Sequence, residues 1–328
     1  MFTARSFAGR LAITAIVALL FAVTACSGKD SGVKEAEAAS PVKNDFTGFK
    51  PVAMSPPLER PIVVDGPVVM PTFETAEAAF KAGAYKDAKV LYKTRTEGTG
   101  ADAHTFYMLG LSSWKAGDFT GAKDAFDKSI ELDSTFAKSY FNEGRVLLDL
   151  KRAPEALGLI EKGRVLDPTS PDGGRLKARA QSENGDVTGA TRTYQELIVG
   201  DDADAWTLNN FGAFLMDHGL FQDAVGPLTR AVLLRPTAPL FQNNLGMALE
   251  RTGYKVAALR HYEEAVRNDS TFGKAVKNVA RLQGQVTDTT AVEEVDVKSL
   301  AEQFRQTVIA WRDSIKARET TPPPAGQR

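Results

Sequence analysis

The chain has one cysteine, three histidines and almost no net charge across 328 residues. A lone cysteine, Cys26, leaves no paired-cysteine motif. His104, His218 and His261 lie far apart, and no two share a metal-ligand spacing. Lys and Arg number 40 against 41 Asp and Glu, so a formal charge of −1 lacks the basic footprint of a nucleic-acid binder. A phosphate-binding glycine loop and a nucleophile elbow are also missing. The pairs Glu263-Glu264 and Glu293-Glu294 are adjacent residues, which do not face each other on a helix. These absences argue against an enzyme, a metal site or a cofactor.

What the chain does have is a period. Ala88, Ala122, Ala156, Ala190, Ala224 and Ala258 follow one another at intervals of 34 residues. A second small column, Ala76, Gly110, Gly144, Ala178, Gly212 and Gly246, runs in the same step. A third reads Gly83, Gly117, Gly185, Gly219 and Gly253, interrupted by Lys151. Bulky residues fill a fourth: Tyr92, Phe126, Ile160, Tyr194, Leu228 and Tyr262. A fixed period of this size means stacked supersecondary units. Within one period, Leu208, Phe211, Gly212 and Leu215 keep helical spacing up to Gly219; Phe221, Ala224, Leu228, Ala231 and Val232 resume it up to Pro236. The unit is therefore a helical hairpin. Small residues belong where its two helices cross most closely, and glycine where the first helix ends in a left-handed residue.

These residues resemble the tetratricopeptide repeat. The match includes Phe106, Leu109, Gly110, Phe119, Ala122 and Phe126 in the second period. The fifth matches at Phe211, Gly212, Phe221, Ala224, Leu228, Ala231 and Pro236, and the sixth at Leu245, Gly246, Leu249, Ala258, Tyr262 and Ala265. The first period departs at Thr72 and Thr75, and the fourth opens on Asp172-Gly173-Gly174, poor helix formers. The resemblance implies an all-α, right-handed superhelical solenoid of about six hairpins over residues 72–283, with a seventh hairpin beginning at Gly273 without its second helix in register. Farther on, Val297, Leu300, Phe304, Val308, Trp311 and Ile315 form an amphipathic stripe within 284–318. It is expected to cap the exposed end of the last repeat, as solenoids require; a docking helix is the alternative. The Pro-rich tail 319–328 is expected to be disordered.

Arg5 and Arg10 precede the apolar run Leu11–Ala25, whose 15 residues are short of the roughly 20 of a spanning helix but suit a signal peptide over 1–25. Its end, Val23-Thr24-Ala25-Cys26, resembles the bacterial lipobox, which implies lipidation of Cys26 and cleavage before it. Ser27 resembles the class sorted to the outer membrane, so the expected location is exported and lipid-anchored, at the periplasmic face of the outer membrane in a Gram-negative source. Residues 26–71 then form a Pro-rich tether with seven of the 16 prolines. Its flexible reach is roughly 37 Å.

Tetratricopeptide arrays line their concave face with first helices, and the resemblance carries ligand positions onto Tyr107, Trp114, Lys138, Phe141, Asn142, Arg145, Arg175, Arg179, Trp206, Asn209, Asn210, Met216, Asn243, Asn244, Met247 and Arg251. An extended peptide or protein is the implied partner, since asparagine amides pair with backbone groups and aromatic and arginine residues are usual hot spots. The carboxylate clamp of chaperone-binding members is absent, because Tyr107, Leu111 and Leu176 stand at three of its positions. A narrower resemblance, in Leu208-Asn209-Asn210-Phe211-Gly212-Ala213-Phe214-Leu215 with Gly219 and Ala224, is to type IV pilus pilotin lipoproteins. It implies a non-catalytic scaffold assisting a secretin or pilus complex. An adaptor for peptidoglycan enzymes, or a groove binding a glycan or small solute, are the alternatives.

Overall fold

A computed structural model describes residues 71–98, 101–286 and 295–320. The signal segment, Cys26, the tether before residue 71, the connection 287–294 and the tail from 321 lie outside the described residues. Within them every regular element is helical. Six hairpins are formed by α1 (Phe73–Lys81) with α2 (Tyr85–Thr96), α3 (Ala103–Lys115) with α4 (Phe119–Leu132), α5 (Ala137–Asp149) with α6 (Ala153–Leu166), α7 (Pro171–Glu183) with α8 (Val187–Gly200), α9 (Ala205–Asp217) with α10 (Phe221–Leu234), and α11 (Pro239–Arg251) with α12 (Lys255–Asn268). Then come α13 (Gly273–Gln283) and a long α14 (Val297–Thr320). From α1 to α13 each helix packs on its neighbours in sequence, so the core runs along the array.

The small and bulky columns are two halves of one contact. All six alanines of the first column are 0% exposed. A Cβ added to Gly110 would lie 2.6 Å from the Phe126 ring, and one on Gly144 or Gly246 would meet Ile160 or Tyr262 at 2.6 or 2.7 Å. Large residues of the second helix thus fill the space that the first helix leaves empty. Gly83, Gly117, Gly185, Gly219 and Gly253 all have positive φ at the hairpin turn, as the helix stop requires. Lys151 adopts the same left-handed conformation, φ 63°, so the fold holds a side chain where glycine is the unstrained choice.

Two elements differ from their sequence reading. Asp172-Gly173-Gly174 does not weaken α7, which is capped by Ser170 and starts on Pro171. The two glycines are receptors: a Cβ on Gly173 would lie 2.6 Å from Phe141 Cζ, and one on Gly174 2.5 Å from Leu197. The expected capping helix α14 is present, but it lies over α10 and α8, and among the described residues it is α13 that packs on the sixth hairpin. The reason is a better-fitting seat. Phe304 settles on Gly226, Trp311 meets Phe211 edge-on at 6.1 Å, and Arg312 donates to the Val199 carbonyl at 3.3 Å. Phe304 and Val308 are buried there.

Candidate functional site

From the second hairpin onward, successive first helices pack on one another, whereas successive second helices scarcely touch. That asymmetry makes the first-helix face the inner side of the array. Of the side chains expected there, Lys138 and Arg251 are exposed, and Tyr107, Arg145, Arg175, Arg179, Trp206, Asn210 and Met247 are half-buried. Trp114, Asn142, Asn209, Met216, Asn243 and Asn244 are buried. Phe141, 3% exposed, is spent on the wedge between Gly163 and Gly173.

Most of these polar groups hold one another across repeat boundaries. The Trp114 indole N–H donates to Asp149 Oδ2 at 2.8 Å, and Arg179 donates to the other oxygen of Asp149 at 3.0 Å and to Glu183 at 2.8 Å. One aspartate therefore ties α3, α5 and α7. A second line starts at Tyr107, whose hydroxyl accepts from Asn142 at 3.3 Å. Arg145 bonds to Asn142 and to Asp172, the latter at 2.7 Å. Arg175 pairs with Asp172 at 3.6 Å and Asp204 at 2.6 Å. Farther along, Asn244 donates to Asn209 and Asn278 to Asn243, both at 2.9 Å, and Arg281 reaches Glu250 at 2.7 Å. The acids Asp149, Asp172, Asp204 and Glu250 are the residues that reasoning from the family's ligand positions missed. Their signal was available: each lies roughly one period from the base it meets.

One patch brings two cations onto a single aromatic ring. Lys115 Nζ stands 4.4 Å from the centre of a Trp114 ring, and the Arg145 guanidinium 5.4 Å from it, so two cations share one indole. Burial, and then the nearby Arg145 charge, pull Lys115 down to about 8.

A different titrating group sits between α4 and α5. Glu143 is 2% exposed, with Lys123 at 3.8 Å, and its Oε2 has no hydrogen-bond partner. Burial, then the charge of Asp127, push it up to about 8. Between about 4.5 and 8 the folded chain holds a proton that the unfolded chain has released, so stability falls as pH rises through that window. Glu143→Gln is expected to flatten this dependence and to add about 1–3 kcal/mol at pH 8. Urea unfolding at pH 5 and pH 8 measures it; parallel losses in both proteins would refute the assignment.

Residues 107–171 and 215–271 match the Tetratricopeptide repeat family. These two segments are similar to tetratricopeptide repeats. A curated relative, Stress-induced-phosphoprotein 1 of Caenorhabditis elegans, is 26% identical over 167 residues, 49% of this chain. The chain spans about half the length of that relative. Among solved structures, a tetratricopeptide repeat protein from Parabacteroides merdae is similar with a TM-score of 0.58 and 11% identity, over 64% of this chain and 82% of that one. The Cut9–Hcn1 hetero-tetramer of APC/C gives a TM-score of 0.54 and 13% identity, over 70% and 48%. At such identities the likeness is one of fold. It agrees with the helical pairing seen here, including the repeats outside the two matched segments. Among the described residues no group of three or more His, Cys, Asp and Glu could hold a metal ion.

Proposed function

We propose that this chain is a non-catalytic interaction scaffold, anchored to the cell envelope by lipid on Cys26, that assists assembly or stability of an outer-membrane complex such as a type IV pilus secretin. The observation that carries the interaction role is the cluster of Lys115 and Arg145 on Trp114, on a first-helix face that also exposes Lys138 and is held by its own polar network. Such a face suits an extended peptide or protein segment. Envelope attachment is supported by the lipobox-like Val23-Thr24-Ala25-Cys26, and the pilus reading by the residues 208–215.

A photoreactive residue placed at Lys138, Asn210 or Met247 in cells is expected to capture a partner. The same probe at Arg192, exposed on second helix α8, serves as the outer-face control. Partners captured at Arg192 alone would remove the inner face from the proposal. Peptides from a secretin would support the pilus reading, and peptides from peptidoglycan enzymes would replace it. Cys26→Ser is expected to give unprocessed or soluble protein; the mature-size variant persisting in the membrane fraction would overturn the anchor.

A further inference from the structure

One junction of the array differs from the rest. Elsewhere the second helix of each hairpin packs broadly on the first helix of the next, but α8 meets α9 only sparsely. The sequence supplies a cause. Phe214 of α9 stands where the other first helices carry Ala78, Ser112, Val146, Ala180 and Ala248, all smaller. Its ring and that of Phe211 lie against Tyr194 of α8 at 5.4 and 5.5 Å, so three aromatic rings hold the two helices apart. A packed contact that receives a larger side chain gives way by moving backbone.

The two sides of this junction are held differently. On the inner side Arg175 of α7 bonds to Asp204 at 2.6 Å and to Thr207 at 3.4 Å, at the start of α9. On the outer side α8 and α10 scarcely touch, and α14 spans them. Trp311 closes over Phe211, Phe304 rests on Gly226 of α10, and Arg312 holds the Val199 carbonyl near the end of α8. The inner face on either side has bonds of its own. Asp149 links α3, α5 and α7 before the junction, and Asn244 bonds to Asn209 beyond it.

We infer that α14 is a strap across the junction of the fourth and fifth hairpins, and that its release lets the two parts of the inner face turn against each other about the tie from Arg175 to Asp204. Each part moves as a body, because its own hairpins remain packed and bonded. A partner spanning the inner face would fit one setting better than the other, so its binding would be coupled to the strap. The inference concerns the shape of that face and stands whatever partner the face takes.

The test uses the full-length Cys26→Ser chain, which has no other cysteine, with spin labels on pairs of cysteines introduced at exposed positions. Lys138 with Lys255 crosses the junction; Lys138 with Arg192, and Lys255 with Lys274, lie on either side of it. Phe304→Asp is expected to speed hydrogen exchange in residues 297–320 and leave the helical circular dichroism of the hairpins in place. Double electron–electron resonance should then show the 138–255 distance shifted or broadened by roughly 5 Å, with both control pairs unchanged. Trp311→Ala, which removes the ring against Phe211 without adding charge, is expected to affect the same pair alone. Release of α14 with the 138–255 distance unchanged overturns the inference, as do equal changes in all three pairs, which mean general loosening. Continued protection of α14 in Phe304→Asp also overturns it, since Phe304 on Gly226 would then not be what holds the strap.

Discussion

Asp149→Ala is expected to lower the stability of the array by about 2–4 kcal/mol. The residue lies on the inner face, yet its loss strands the Trp114 N–H and removes one of two acids around Arg179, whose side chain is only 15% exposed. Three repeats lose a shared bond at once. Asp149→Asn keeps an oxygen for the indole and should recover part of the loss. Urea unfolding of the three proteins decides the matter; a change below about 0.5 kcal/mol for Asp149→Ala would mean that Trp114 and Arg179 find other partners. The same result bears on function. A variant of Asp149 that abolishes partner binding is uninformative unless its stability is known, whereas exposed Lys138 can be changed without touching this network.

A single substitution made at two sites should give opposite signs. Gly212→Ala places a methyl group against fully buried Leu228, which cannot retreat, and is expected to cost about 1–3 kcal/mol despite the better helix propensity. Gly158→Ala, inside α6 with open space around it, is expected to gain about 0.5–1 kcal/mol. Thermal melts of both variants provide the measurement. If Gly212→Ala is neutral, the small column is a matter of composition and not of close helix approach.

The hairpins were legible because their cause is local. A small residue on one helix and a bulky one sixteen positions later on the next meet in every unit, and six copies of that relation leave little freedom in the reading. Lys151 shows the limit of such a rule: the turn geometry is kept even where its usual residue is replaced. The inner face was less legible. Family positions select side chains that point inward, but Arg145, Arg175 and Arg179 are answered by acids one hairpin away, and that pairing depends on how far each repeat is rotated on the next. Gly173 and Gly174 look like helix breakers until Phe141 and Leu197 are seen to occupy the room they leave. The stripe on α14 was plain, but an apolar stripe does not name the surface it covers.

The seat of α14 also changes how the chain reaches its native state. Nearly all other contacts join helices adjacent in sequence or one hairpin apart, which can form early and propagate from any point. The bond from Arg312 to Val199 closes a loop of 113 residues. Closing so long a loop is entropically costly, so α14 should latch last, after α8 to α10 have assembled beneath it. An intermediate with the array formed and Trp311 still in water would then be visible as a slow indole fluorescence phase absent from Trp311→Phe.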